Sequence, residues 1–273
     1  MTSSDADARA FHDFEHTGWE RAAEFYGDAF GALTAQTAGP MLDAVDASGG
    51  TRLLDVACGP GFIAGAAADR GALVTGLDFS AAMVAQARQR LPALTFREGD
   101  AEALPFEAGS FDAVVMNFGL LHLARPDAAL ADAHRVLRPG GRYAFTVWSE
   151  QAMAFRLALR AIEEHGNAQV PLPEGPAFFR FSDVAETERT LAAIGFSDVE
   201  VRELPIAWRP PSADAVFDAL SRGGVRTAAV LRGQTPEALT AIRDAVRRGI
   251  EAYAHDGDFN IPMPAVLASA RKP

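Results

Sequence analysis

Lysine is all but missing from this chain. Of 25 Lys and Arg residues among 273, only Lys272, beside the C-terminus, is lysine. This leaves no residue for a Schiff base in the body of the chain, for a Gly-x-x-x-x-Gly-Lys-Ser phosphate loop or for a Tyr-x-x-x-Lys dehydrogenase pair. Cysteine is as scarce: Cys58 stands alone, which excludes an internal disulfide framework. With no base near it in sequence, that thiol reads as a small buried residue rather than a nucleophile. No apolar run approaches the roughly 20 residues of a spanning helix. The opening Met1-Thr2-Ser3-Ser4-Asp5 has neither the basic end nor the hydrophobic stretch of a secretory signal, so a cytoplasmic protein is expected. Positive charge is also in deficit, with a net charge of −11, which repels nucleic acid and anionic membranes. No metal site is expected: His12 and His16, four apart, share a helix face but lack further ligands, and a solvated face is the reading. The expected partner is a small molecule, and the acidic surface suits a monomer or a homodimer.

At 49% apolar and 22% charged residues, the composition is that of a globular chain with a proper core. Phe11, Phe14, Trp19, Ala22, Phe25, Tyr26, Ala29, Phe30 and Leu33 recur at spacings of three and four, predicting helices with an aromatic stripe. Gly39-Pro40 interrupts, and Met41 starts a further helix. Alternation follows: strand Arg52 to Val56, helix Phe62 to Asp69, strand Leu73 to Leu77, and helix Ala81 to Leu91 capped by Ser80. Strands near Leu94 to Glu98, Phe111 to Met116 and Arg142 to Trp148 continue it, with a helix over Asp127 to Leu137 and a turn at Pro139-Gly140-Gly141. Such alternation implies an α/β fold with a parallel, doubly wound sheet. Beyond Ser149 a helix to His165 precedes an irregular stretch, Val170 to Phe181, then a helix capped by Ser182. The strand Ser197 to Leu204 and the apolar run Ile261 to Ser269 read as a hairpin with helices inserted in its connection. The chain is expected to form one structural domain with three parts: a helical cover (1–48), a cofactor-binding core (49–150) and a part that completes the sheet with helical cap insertions (151–273).

The most informative segment is Leu53-Leu54-Asp55-Val56-Ala57-Cys58-Gly59-Pro60-Gly61, an apolar strand that breaks into a glycine turn, with Asp78 at the next strand end nineteen residues after Gly59. Glycines let backbone N–H groups approach a ligand, and an acid at that strand end accepts from both ribose hydroxyls. Dinucleotides and S-adenosyl-L-methionine both suit such a pocket.

Four further segments extend the pattern: Gly76-Leu77-Asp78-Phe79-Ser80, Gly99-Asp100-Ala101-Glu102-Ala103-Leu104-Pro105-Phe106, Phe111-Asp112-Ala113-Val114-Val115, and Arg135-Val136-Leu137-Arg138-Pro139-Gly140-Gly141. Together the five resemble the class I S-adenosylmethionine-dependent methyltransferases, in particular the subgroup of quinone-biosynthesis and small-molecule enzymes, across residues 50 to 148. The resemblance implies a Rossmann-like seven-stranded sheet with an antiparallel last strand and S-adenosyl-L-methionine as cofactor. It implies that the Ala57, Cys58, Gly59 and Gly61 backbone supports the methionine part, with Asp55 touching the ligand or orienting the loop. Asp78 would hold the ribose, Asp100 and Ala101 the adenine edge, and Phe79 and Met83 its faces, while Asn117 and Phe118 would lie near the methyl. Ala57 departs from the family's glycine and is expected to tolerate an extended backbone.

N-terminal helices in this family often close over the cofactor, which would place Tyr26 and Trp19 at the site, where a sulfonium gains cation–π attraction. Phe178, Phe179 and Trp208 are expected to wall in a small, aromatic or otherwise apolar acceptor. His122, in Leu120-Leu121-His122-Leu123 past the fourth strand, is either structural or else a general base or a substrate contact. In-line methyl transfer depends mainly on positioning and exclusion of water, worth roughly 7 to 11 kcal/mol. Two alternatives share the pocket: an NAD(P)-dependent oxidoreductase, which the late third glycine at Gly65 disfavours, and a non-catalytic S-adenosylmethionine-binding module.

Overall fold

Strands buried on both faces are apolar without alternation, and this chain shows it: Leu53, Leu54, Val56 and Ala113 to Met116 are all buried. The computed structural model describes residues 3–273. Its main sheet has seven strands: β1 (Arg52–Val56), β2 (Leu73–Asp78), β3 (Thr95–Glu98), β4 (Phe111–Asn117), β5 (Leu137–Trp148), β6 (Ser197–Leu204) and a last strand, Ala265–Arg271. The spatial order is β3-β2-β1-β4-β5, then the last strand, then β6. The first five run parallel, and the last strand lies antiparallel to both β5 and β6. This is the α/β, Rossmann-like sheet with an antiparallel last strand. The hairpin of β6 with the last strand also forms as expected, and a short antiparallel pair, Ile261 opposite Trp208, extends it.

The helices alternate with the strands. α1 (Ser3–Tyr26) passes through a π-helical turn (Gly27–Gly31) into α2 (Ala32–Thr34), a 3₁₀ turn and α3 (Ala38–Ala44). Gly39-Pro40 therefore does not interrupt: Pro40 sits in the first turn of α3, where its missing N–H has no helical acceptor to lose. α4 (Phe62–Asp69), α5 (Ala81–Arg90) and α6 (Pro126–Val136) connect the parallel strands. Ser80 caps α5, accepting from the Met83 N–H. α7 (Met153–His165) and α8 (Val184–Ile194) follow β5, and Asp183, not Ser182, caps α8 by accepting from the Glu186 N–H. Ser182 instead donates to the Phe179 carbonyl oxygen at 2.7 Å. α9 (Ala213–Arg222), α10 (Arg226–Arg232) and α11 (Pro236–Glu251) fill the hairpin connection.

β5 begins at Leu137, five residues earlier than expected, because Pro139-Gly140-Gly141 forms a bulge within the strand. The Gly140 N–H donates to the Lys272 carbonyl and the Lys272 N–H to the Gly141 carbonyl, at 2.8 and 2.9 Å. The lone lysine thus serves the fold. Its Nζ donates to the carbonyl oxygens of His134 and Leu137, both at 2.8 Å, neutralising the C-terminal end of α6.

Candidate active site

β1 and β2 end side by side at the carboxyl edge of the sheet, and the turn after β1 is built around Asp78. The Gly59 N–H donates to Asp78 Oδ2 at 2.8 Å and the Ser80 N–H to Oδ1 at 2.9 Å. Gly61, at φ +84°, precedes α4, and a Cβ there would meet Leu91 at 3.1 Å and Phe96 at 3.3 Å. Ala57 is not extended as expected but left-handed, at φ +53°. It lies against Gly119, where an added Cβ would come within 2.6 Å of the Ala57 methyl.

A cavity opens above this edge. Tyr26, Asp55, Ala57, Cys58, Gly59, Asp78, Phe79, Met83, Asp100, Ala101, Asn117 and Phe118 all line it, as do Trp19 and His122. Gly61 is not in its wall and shapes the turn from beneath. Asp78 and Asp100 are two of its carboxylates. Asp78 is buried, and desolvation raises its pKa to about 6 against the opposing Ser80 and Gly59 amides. Asp100 Oδ1 accepts from the Glu102 N–H at 2.8 Å, while Oδ2 lies 3.5 Å from His12 Nε2. His12 and His16 are accordingly not on a solvated face: both meet the ring of Phe79 edge-on, at 5.9 and 5.3 Å between centroids.

Asp55 is fully buried and neither carboxylate oxygen has a hydrogen-bond partner. Desolvation raises its pKa to about 8; the Ala64 amide in the first turn of α4 opposes the rise without reaching hydrogen-bond geometry. Cys58 is buried and its thiol is pushed well upward by desolvation and by the two carboxylates, which removes it as a nucleophile. Asn117 turns out to be an anchor. Its Oδ1 lies 2.6 Å from Thr146 Oγ1 and 2.7 Å from Thr37 Oγ1, and its Nδ2 donates to the Thr34 carbonyl at 3.2 Å. The side chain thereby ties the N-terminal cover to β4 and β5. Phe118, at φ +52°, stacks on Trp148 with centroids 4.0 Å apart.

His122 stands where this cavity meets a second one, and Trp19, Tyr26, Thr34 and Phe118 are likewise walls of both. Its Nδ1 lies 3.0 Å from Glu15 Oε2. Glu15, with no exposed surface, also accepts from Arg226 Nε at 2.9 Å. Arg226 donates further to the carbonyl oxygens of Pro176 and Leu121, both at 3.0 Å. The second cavity is strongly aromatic, with Phe30, Trp148, Phe155 and Phe178 in its wall. Of the expected acceptor walls, Trp19 and Phe178 line it, whereas Phe179 and Trp208 do not. Phe179 packs edge-on behind Phe178, and Trp208 is buried against Phe30. Glu15 and Arg226 escaped the sequence reading. The signal for Glu15 was available: at positions 11, 15, 19, 22 and 26 it is the one charge in an otherwise apolar helical stripe. Arg226 carried no comparable signal.

A family model described as a methyltransferase domain matches residues 54–145. A demethylmenaquinone methyltransferase of Renibacterium salmoninarum is 37% identical over 175 residues, covering 60% of this chain and 74% of that protein. A malonyl-[acyl-carrier protein] O-methyltransferase of Salmonella typhimurium is 31% identical over 217 residues, covering 69% of this chain and 86% of that protein. Among solved structures, Haemonchus contortus phosphoethanolamine N-methyltransferase 2 in complex with S-adenosyl-L-methionine superposes with a TM-score of 0.59 at 20% identity, over 96% of this chain and 60% of that one. The last likeness concerns the fold alone.

Proposed function

The chain belongs to the class I S-adenosylmethionine-dependent methyltransferases, in the quinone-biosynthesis-like subgroup, and from that premise we propose that it methylates a small aromatic acceptor held in the second cavity. The observation that carries this is the pair of adjoining chambers, one bearing carboxylates and one walled by aromatic rings, with His122 and Trp19 shared between them.

When bound, S-adenosylmethionine supplies a methyl made electrophilic by its sulfonium. The residues present suit such a ligand. Asp78 uses one lone pair of each oxygen on the loop amides and retains others for ribose hydroxyls. Asp100 and the Ala101 N–H offer an acceptor and a donor for the adenine edge, between Phe79 and Met83. The Ala57 to Pro60 backbone borders the methionine part, and the unpartnered oxygens of Asp55 suit its ammonium. Tyr26, Trp19 and Phe118 then surround the region of the methyl with aromatic faces, which favour a sulfonium and exclude water.

The acceptor wall supports an apolar, planar molecule. Its cation, Arg226, is engaged with Glu15 and two carbonyls, which disfavours a free carboxylate such as the malonyl group named for the Salmonella relative. Calorimetry with S-adenosylhomocysteine tests the first chamber: Asp78→Ala is expected to abolish measurable binding, and unchanged affinity would sink the placement. Phe178→Ala tests the second, with a raised acceptor KM and little change in S-adenosylhomocysteine affinity expected. Equal weakening of both ligands would count against a separate acceptor chamber.

A further inference from the structure

We propose that Glu15 is a positioning residue that makes His122 the base for an acceptor hydroxyl, so that the acceptor class is an aromatic or enolic O–H compound. This rests on the two-chamber reading above and adds the chemistry of the nucleophile.

An imidazole beside a carboxylate places its proton on the nitrogen that faces the carboxylate. Here that nitrogen is Nδ1, 3.0 Å from Glu15 Oε2. In the neutral ring the lone pair is then on Nε2. It makes no hydrogen bond to any described residue, and the ring is a wall of both chambers, so the free lone pair is available to a group sitting between them. The ring is held on its other sides by Trp19, edge-on at 4.8 Å between centroids, and by Phe178 at 6.1 Å.

Glu15 has its partner in Arg226, whose guanidinium holds the buried carboxylate in place. Arg226 in turn clamps the carbonyls of Leu121, next to the histidine, and of Pro176, two residues before Phe178. The base, its orienting acid and one wall of the acceptor chamber are therefore joined by one guanidinium. A purely structural ion pair would have no need of a histidine nitrogen left open between two cavities.

The step balances as a single displacement. Nε2 takes the hydroxyl proton, the oxygen's electron pair (or that of its conjugated ortho carbon) forms the bond to the methyl carbon, and the carbon–sulfur pair returns to sulfur. S-adenosylhomocysteine leaves neutral, and the imidazolium gives its proton to solvent. With ring-carbon attack, the ring proton passes to solvent as aromaticity returns and the imidazolium instead returns its proton to the oxygen, so that one proton is released in either case.

The test uses the full chain and a series of phenols running from ordinary ones, with pKa near about 10, to electron-poor ones already ionised at the assay pH. Removing the base is expected to slow methylation of the ordinary phenols by about 10²–10⁴-fold, and of the ionised ones by less than about tenfold. His122→Ala and Glu15→Gln should share this pattern, and His122→Ala keeps the test valid should the buried Glu15 variant not fold. Two readouts do not depend on turnover. Nitrogen-15 NMR of His122 should show the proton on Nδ1 in the native protein and a mixture in Glu15→Gln. In the presence of S-adenosylhomocysteine, a chromogenic phenol should bind as phenolate below its free pKa, and this shift should vanish in His122→Ala. A loss equal across the series, or none, overturns the proposal. Methylation of anilines or thiols with every phenol untouched overturns it while leaving the aromatic chamber standing; failure of every aromatic acceptor overturns both.

Discussion

Ala57 and Gly119 show how closely the turn after β1 is packed. A left-handed L-residue costs roughly 1–2 kcal/mol, which a glycine avoids at the expense of roughly 0.5–1 kcal/mol in chain entropy. Ala57→Gly is therefore expected to leave stability unchanged or raise it by up to about 1 kcal/mol in urea unfolding. Gly119→Ala places its methyl 2.6 Å from the Ala57 Cβ and 2.8 Å from Met116 Cγ. Such overpacking is expected to cost about 1–3 kcal/mol. Because the two methyls compete for one space, the double variant should recover part of that loss; strict additivity would show that they do not touch.

At the scale of elements, one amide ties the N-terminal cover to two strands of the sheet. Asn117 serves hydroxyls of Thr37 and Thr146 and the Thr34 carbonyl, and Thr146 Oγ1 accepts from the Phe118 N–H at 3.1 Å. Replacing it with alanine leaves buried polar groups unpaired, a cost of about 1–3 kcal/mol. Hydrogen exchange followed by mass spectrometry should then show faster exchange in residues 3–44, with β2 and β3 still protected. Uniform acceleration across the chain would mean that the cover has no separate attachment. The cover is also held by close approach: a Cβ on Gly18 would fall 2.3 Å from Val225, so α1 and the start of α10 meet at a residue with no side chain. This contact places Glu15 and Arg226 near enough to pair.

For the molecule as a whole, two buried carboxylates set the sign of one pH effect. Asp55 and Asp78 are raised from 3.8 to about 8 and about 6. Between those limits the native state holds more protons than the unfolded chain, so stability falls as pH rises. Asp112, held low by Arg52 and Arg138, acts in the opposite direction only in acid, and its exposure and solvent screening weaken it. Unfolding free energy is therefore expected to decline between about pH 4 and 8 on account of the two buried acids. Asp55→Asn should flatten the upper part of that slope and exceed the native protein at pH 9 by about 1–3 kcal/mol, measured by denaturant titration. An unchanged slope would show that Asp55 is solvated.

The alternating strands and helices, the glycine turn and Asp78 were legible from residue order, because each depends on neighbours within a few positions: apolar runs that need two covered faces, glycines at left-handed φ, an acid at a strand end. Ser80 as a cap is of the same kind. Where local signals competed, the reading went astray, as at Pro40, whose place in the first turn of α3 is set by a helical path arriving from α2. Only the folded chain decided the dyad and the chamber walls. Glu15 reaches His122 across 107 positions and Arg226 across 211. No local pattern encodes such pairings, since they depend on how α1, the turn after β4 and the helices inserted near the end of the chain pack over one edge of the sheet. The same packing turned Phe178 inward and left Phe179 behind it, a choice between adjacent identical side chains that only tertiary contact makes.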